Sequence, residues 1–461
     1  MFKLKDYNLN DTIVALATFP AKSALGVVRI SGKKALELTW QIFKPVRKKN
    51  IRKVKTYTIH YGWIREKEKI VDEVLVSIMR KPNSYTKEDV VEISCHGGPV
   101  VLNKILEIIA AKGARLALPG EFTYRALVRG RIDILQAQGI LGIVEAKTES
   151  SLVPALNQLK GQVSLKIRKL KIKIKQLFIE TESFMNFPED DISFSPQDFK
   201  KRIKRIDQEL SQLLEASQEG RVIQEGLRCV ICGKANAGKS TLFNCLLREE
   251  RVIVSRIPGT TRDIIEETLN IRGVPLRIYD TAGILEPKDL LAKKALKKSW
   301  EIFDNSDLVI FVLDASRPLN KDDFFLLEKA KFKNIIFVVN KSDLKKRLNL
   351  KKISRNGAPL VRMSALKNNG LKKLEKAIHD QVYGRSFRRE NVVFLNQYQI
   401  QTLKRIKDII LDIKLLLKQD YQWDFVNLSL KNCLEEVGKL SGEVVSEEIL
   451  ESIFSKFCIG K

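Results

Sequence analysis

The octapeptide Gly233-Lys234-Ala235-Asn236-Ala237-Gly238-Lys239-Ser240 decides how the middle of this chain folds. It follows the apolar run Arg228–Cys232 and opens a helical pattern, the strand–loop–helix setting in which a phosphate loop works. Its glycines let successive backbone N–H groups wrap a β-phosphate. Lys239 neutralises charge at the β- and γ-phosphates, and the Ser240 hydroxyl is suited to Mg²⁺. Asn236, Ala237, Gly238 and Thr241 complete the loop residues expected against a nucleotide.

Three further elements follow in an order that makes the nucleotide GTP. Asp280-Thr281-Ala282-Gly283 closes a strand-like run and is expected to bring a carboxylate to the magnesium and a glycine N–H to the γ-phosphate. Asn340-Lys341-Ser342-Asp343 closes another. Asp343 suits the N1–H and 2-amino donors of guanine, a pair that adenine lacks. Ser364-Ala365 can complete the base pocket through its backbone. Upstream, the segment Ser255-Arg256-Ile257-Pro258-Gly259-Thr260-Thr261 offers a switch threonine, read as Thr261, whose hydroxyl and carbonyl can meet magnesium and γ-phosphate. Many GTPases place a glutamine directly after the aspartate-led segment to orient water. Here that position is Ile284, which does no polar work.

Outward from the loop, strand-like runs (Arg277–Asp280, Leu308–Asp314, Ile335–Val339) alternate with helical patterns from Leu227 to Tyr383, which means βα crossovers and a largely parallel sheet. From Tyr124 to Arg221 the chain reads as helical. The stretch "KLKIKIK" mimics a strand, yet Val163, Ile167, Leu170, Ile174 and Leu177 repeat at helical spacing, so a helix is expected. After Gly384 another apolar stripe, Leu403, Ile406, Ile410, Ile413 and Leu417, marks a helix. Helix, α/β unit, helix is the pattern of an insertion. Before it, strand-like runs at Thr12–Ala17, Gly26–Ile30, Val74–Ile78 and Val90–Ser94, with a helix at Val100–Ala111, make a mixed α/β region. The expected domains are 1–124, 125–221, 222–383 and 384–461, the second and fourth forming one discontinuous helical domain.

Composition narrows the function. The 461 residues carry 82 Lys and Arg against 55 Asp and Glu, a net charge of +27, which attracts polyanions, nucleic acid foremost. Lysine-rich solvated faces also produce such a balance. No apolar run approaches the ~20 residues of a membrane helix, and the start, MFKLKDYNLN, has no apolar signal core. A cytoplasmic protein is expected, since six cysteines are too few for a disulfide scaffold at this length. Cys229 and Cys232 form a C-x-x-C on the strand entering the phosphate loop. With no second pair to complete a zinc site, they read as core thiols, as do Cys95, Cys245 and Cys433.

Residues outside the GTP elements carry a resemblance. These are Asp11-Thr12-Ile13, Arg29-Ile30-Ser31-Gly32, "NSYTKEDVVEISCHGGPV" from Asn83 to Val100, "PGEFTYRAL" from Pro119 to Leu127, and the closing Phe457-Cys458-Ile459-Gly460-Lys461. With them the chain resembles the MnmE (TrmE) family of tRNA-modification GTPases over essentially its full length. The resemblance implies a multidomain α/β plus α protein with an N-terminal folate-binding and dimerisation domain, a discontinuous helical domain and an inserted Ras-like P-loop GTPase domain. It further implies a homodimer working with an FAD-containing partner, MnmG (GidA), in a heterotetramer or larger assembly. That assembly adds an aminomethyl or carboxymethylaminomethyl group at C5 of the tRNA wobble uridine, with a one-carbon unit from a tetrahydrofolate (5,10-methylene; 5-formyl as a bound form). By the same resemblance Asn236, Ser255, Ile257 and Thr260 hold K⁺, Ser240 and Thr261 hold Mg²⁺, and Arg29, Glu92, Arg131 and Lys461 bind folate. Thr261 and Cys458 are its catalytic residues, the thiol as a participant in the uridine chemistry.

The chain departs from the family in places. Arg131 stands where the family has lysine, and Ala292 where it has a water-orienting glutamate, with Glu286 and Asp289 as neighbouring carboxylates. Phe19–Ala24 replaces a glycine-rich loop, Asn186 an aspartate, and Gln136-Ala137-Gln138-Gly139 the segment QAEA. Two competing readings follow: a hydrolysis-impaired GTP-binding RNA scaffold, or a ribosome-assembly GTPase of the Era or EngA kind. The latter leaves the N-terminal motifs and the tail unexplained.

Overall fold

A computed structural model of the chain describes residues 7–47, 50–146, 148–186, 194–249, 266–280, 300–353, 357–383, 392–418, 423–443 and 447–460. They fall into two compact units, one of 1–141, 158–206 and 405–461, the other of 142–157 and 207–404.

The first unit is built on a seven-stranded sheet. Its strands are β1 (Ile13–Leu16), β2 (Ser23–Ser31), β3 (Phe43–Pro45), β4 (Thr58–Glu66), β5 (Lys69–Met79), β6 (Val90–Gly97) and β7 (Arg115–Leu116), in the order β3-β4-β5-β6-β2-β1-β7. All neighbours are antiparallel except β1 and β7. Alternation along the strands sends Val28, Ile30, Val74, Val76, Ile78, Val91 and Ile93 into one core with the helices Ala35–Ile42 and Pro99–Ala111. On β4 and β5, Ile59, Tyr61 and Leu75 remain exposed, Tyr61 standing opposite Leu75 in register.

"KLKIKIK" lies inside one helix, Gln162–Asn186, whose buried face is Val163, Ile167, Leu170, Ile174, Leu177 and Thr181. Helical spacing wins over the local alternation because burying those five aliphatic side chains is worth about 1.5–3 kcal/mol each, whereas a strand would split them between two faces. This helix packs against Trp423–Ser441, and the Thr181 hydroxyl donates to Asn427 Oδ1 at 2.8 Å. The helix Gln397–Leu416 carries the expected stripe, with Leu403, Ile406, Ile410, Ile413 and the following Leu417 all buried. Among the described residues no helix is long and apolar enough to cross a membrane.

The second unit holds a six-stranded sheet of β8 (Leu227–Cys232), β9 (Glu266–Ile271), β10 (Val274–Asp280), β11 (Leu308–Asp314), β12 (Ile335–Asn340) and β13 (Leu360–Arg362), in the order β13-β12-β11-β8-β10-β9. Every pairing is parallel except β9 with β10. Both faces are covered, which is why β11 is buried at all seven positions and its sequence is continuously apolar. Cys229 belongs to the core on one face and Cys232 to the core on the other. A C-x-x-C on a strand points to opposite sides and cannot grip one metal. Burial pushes the Cys232 thiol up to about 12 and Cys229 up as well, as expected for inert core thiols.

Candidate nucleotide site and N-terminal cluster

The phosphate loop joins the C-terminal end of β8 to the helix Lys239–Glu249. Its backbone is contorted as such a loop must be: φ is +144° at Gly233, +61° at Asn236 and +94° at Gly238. Glycine is obligatory at two of these positions for space as well as φ. A Cβ on Gly233 would stand 2.3 Å from the Val312 carbonyl oxygen, and one on Gly238 2.2 Å from Asn340 Nδ2. Lys239 Nζ bends over the loop and donates to the Lys234 carbonyl at 3.0 Å, while Asn236, Ser240 and Thr241 are exposed.

Asn340, buried at the end of β12, ties three pieces together. Its Nδ2 donates to the Ala237 carbonyl at 3.0 Å, and its Oδ1 accepts from the Ala365 N–H at 2.9 Å. Lys341 runs across the loop, its Nζ donating to the Asn236 carbonyl at 2.7 Å and pairing with Asp314 Oδ2 at 2.7 Å. Burial of Asp314 works against its charge, but Lys341 and the Ser316 hydroxyl and amide outweigh it and hold the carboxyl below the usual range. Asp343 is exposed, and its carboxyl is likewise held low, first by the Ser364 hydroxyl and then by its own backbone amide and Lys367. Beside Ala365 opens a cavity of about 280 Å³ lined by Thr241, Asn244, Cys245, Arg248, Leu366 and Asn368. Cys245 is half of a polar contact there, its Sγ 2.9 Å from Asn368 Oδ1, which the core-thiol reading did not anticipate.

Asn236, Ala237, Gly238, Lys239, Ser240, Asn340, Lys341, Asp343, Ser364 and Ala365 are thus brought to one end of one sheet. Asp280 ends β10, in register with Ile231 of the strand that feeds the loop. Ser255, Arg256, Ile257, Pro258, Gly259, Thr260, Thr261, Thr281, Ala282, Gly283, Ile284, Glu286, Asp289 and Ala292 lie outside the described residues. Asp314 and the pair Lys234–Asp323, 3.1 Å apart and buried under the loop, escaped the sequence reading. The only hint for Asp314 is an acidic residue closing an apolar strand.

In the first unit the N-terminal motifs meet around Arg125, which is fully buried. Its guanidinium pairs with Asp11, with Glu88 at 3.1 Å and with Glu121 at 3.0 Å. Glu88 also accepts from Arg129 at 2.6 Å and Ser31 Oγ at 2.7 Å, and Arg115 joins Asp11 and Glu121 at 2.6 Å each. Each motif quoted above from this region therefore supplies a member of one network of ion pairs and hydrogen bonds. Breaking a buried pair of this kind costs about 3–5 kcal/mol.

A second cluster of polar and aromatic side chains gathers around Arg29. Arg29 and Glu92 are register partners on β2 and β6, and Arg29 Nε pairs with Glu92 Oε1 at 2.7 Å. Arg29 Nη1 donates to the Gly460 carbonyl at 2.8 Å, so the chain's tail is docked rather than frayed. Gly460 has φ +95°, and a Cβ there would come within 2.2 Å of the Leu16 carbonyl oxygen. Phe457 is buried and stacks on Phe454, whose ring meets Tyr124 edge-on. Cys458 is exposed, two positions before Gly460. Arg131 lies over the ring of Tyr85, which the sequence reading had not singled out. Lys461 lies outside the described residues.

Two family models and several relatives match the chain. The model of the GTP-binding protein TrmE N-terminus matches residues 12–131, and that of the MnmE helical domain matches 134–458. The chain is 43% identical to the tRNA modification GTPase MnmE of Thermoanaerobacter pseudethanolicus over 458 residues, covering 98% of this chain and 99% of that protein. It is 42% identical to the protein of the same name from Clostridioides difficile, with coverage of 98% and 100%. A crystal structure of Era from Aquifex aeolicus is 26% identical, covers 39% of this chain and 65% of its own, and aligns with a TM-score of 0.28.

Proposed function

Because the chain belongs to the MnmE family of tRNA-modification GTPases, we propose that it binds and hydrolyses GTP while modifying tRNA at the wobble uridine. On this reading an FAD-containing partner acts with it to place an aminomethyl or carboxymethylaminomethyl group at C5. The observation that carries the proposal is full-length similarity at 43% identity, with the phosphate loop, Asn340 clasp and Arg29–Glu92 pair all present in one chain. The match of residues 12–131 to the TrmE N-terminus weighs against a ribosome-assembly role, and nothing in the fold favours a bare RNA scaffold.

In the nucleotide site, loop N–H groups and Lys239 meet the phosphates, Asp343 recognises guanine with the Ser364-Ala365 backbone completing the base pocket, and Asn340 and Lys341 lock the two recognition loops together. Ser240 and Thr261 would hold Mg²⁺, and Asn236, Ser255, Ile257 and Thr260 K⁺. Such cations offset charge on the phosphate oxygens as hydrolysis proceeds. Support for the Mg²⁺ assignment includes the exposed Ser240 hydroxyl at the helix start. Around Arg29 gather a second guanidinium group (Arg131), one carboxylate (Glu92) and the rings of Tyr85 and Phe122, and Arg29 itself bonds the docked tail. That set suits a flat heteroaromatic ring carrying a carboxylate tail, as a folate does, with Arg29, Glu92, Arg131 and Lys461 as its holders. The folate supplies the one-carbon unit.

The exposed Ile59, Tyr61 and Leu75 on β4 and β5 support a homodimer through the N-terminal sheet. We also assign the domains to 1–124, 125–221, 222–383 and 384–461, and the protein to the cytoplasm. The test is reconstitution of the full chain with the flavoprotein partner, methylene-tetrahydrofolate, GTP and unmodified tRNA, followed by mass analysis of the wobble nucleoside. A GTP-dependent mass gain is expected. An unaltered uridine in the presence of an active partner would overturn the function.

A further inference from the structure

Arg29 is spent on its own chain. Its guanidinium neutralises Glu92 at 2.7 Å and bonds Gly460 O at 2.8 Å, so the pair presents no net charge to a ligand. Among the described residues Arg131 makes no ion pair, and its exposed side chain places the guanidinium carbon 4.7 Å from the centroid of the Tyr85 ring. That ring is itself fixed, the Tyr85 hydroxyl bonding Thr123 Oγ1 at 2.9 Å. Arg29 approaches the same ring at 6.0 Å and the buried Phe122 ring at 5.8 Å. Phe122, Arg29, Tyr85 and Arg131 therefore form a chain of contacts in which rings and guanidinium groups alternate.

We propose that Tyr85 is a positioning residue of this cluster, holding Arg131 to grip a carboxylate on the tail of an aromatic ligand while the neutral Arg29–Glu92 pair meets the ring end. The inference rests on the folate reading given above. A guanidinium lying over an aromatic face keeps its in-plane N–H groups available, and a carboxylate accepts two of them side by side. A lysine ammonium is a point charge with no such fork, so the arginine at 131 depends on the tyrosine for its aim more than a lysine does. Burial pushes the Tyr85 hydroxyl up, against the pull of Thr123 and the two arginines, so the ring remains a neutral phenol at working pH.

The experiment titrates the full-length protein calorimetrically with 5-formyl-tetrahydrofolate and with the same compound lacking its glutamate tail. Replacing Tyr85→Met should weaken the tailed ligand about fivefold, the scale of a cation–π contact at a partly exposed site, and leave the tail-less ligand within about twofold. Tyr85→Phe keeps the ring and should retain most of the affinity. Arg131→Met, at an exposed position, should abolish the preference for the tailed ligand even if Tyr85→Met folds poorly. Equal losses for both ligands in Tyr85→Met, or an undiminished tail preference in Arg131→Met, overturn the inference while leaving the folate reading intact. A wild-type protein that binds neither ligand overturns the folate reading itself.

Discussion

Replacing Asn340→Ala tests the join between the two recognition loops. The side chain is buried and satisfies two buried backbone groups, the Ala237 carbonyl at 3.0 Å and the Ala365 N–H at 2.9 Å. Alanine leaves both without partners, and each orphaned group costs about 1–3 kcal/mol, so the unit should lose about 2–6 kcal/mol. For a unit of this size each kcal/mol shifts the melting temperature by about 2–4 °C, which predicts a drop of about 4–24 °C. The same bonds set the distance between the phosphate loop and the Ser364-Ala365 turn, so affinity for a fluorescent GDP analogue should fall at least about tenfold. Asn340→Asp keeps an acceptor for Ala365 but turns a carboxylate toward the Ala237 carbonyl, and should bind no better than alanine. An alanine variant that melts within about 1 °C of wild type and binds nucleotide within about twofold would refute the clasp.

Other tests address the first unit. Burial of Asp11 opposes its charge, but Arg115 and Arg125 prevail and hold its carboxyl below the ordinary 3.8. A lowered folded-state pKa means the ionised form stabilises, so this contribution is complete above about pH 5 and is lost as the pH falls through the lowered value. Melting temperature should therefore be flat from about pH 7 to 5 and fall below about 4, and Asp11→Asn should lower it at pH 7 and flatten the acid limb. Gly460→Ala puts a Cβ 2.2 Å from the Leu16 carbonyl oxygen, so the tail should undock and become sensitive to carboxypeptidase; a tail as resistant as wild type's would contradict the docking. Cys458→Ser should abolish wobble-uridine modification while GTP binding is retained, and unchanged modification would remove the thiol from the chemistry.

Much of this was legible in the sequence, for local reasons. The phosphate loop declares itself because φ above zero and close backbone approach demand glycine at fixed spacing. The helix Gln162–Asn186 declares itself because its buried positions keep helical register through an alternating composition. Strands β3 and β7 are three and two residues long and exist only through their partners, so no local pattern announces them. The same holds for β4, whose Ile59 and Tyr61 face outward where a core position is expected. Long-range ion partners were hidden for a related reason. Arg125 and Asp11 are 114 positions apart, and nothing within "PGEFTYRAL" itself tells that its Glu121 and Arg125 are spent on holding segments together. Tyr85 was hidden in plain view inside a quoted motif, because stacking leaves no mark on spacing.

On the proposed function this chain is a working, cation-assisted GTPase, although Ala292 stands where the family resemblance implies a carboxylate. The direct measurement is GTP turnover by the purified protein in KCl and in NaCl, beside the variant Ala292→Glu. The account predicts turnover that is faster in KCl and little altered by the glutamate, because another group positions the water. A wild-type protein that binds GTP yet barely turns it over in either salt, and gains rate from Ala292→Glu, would contradict it.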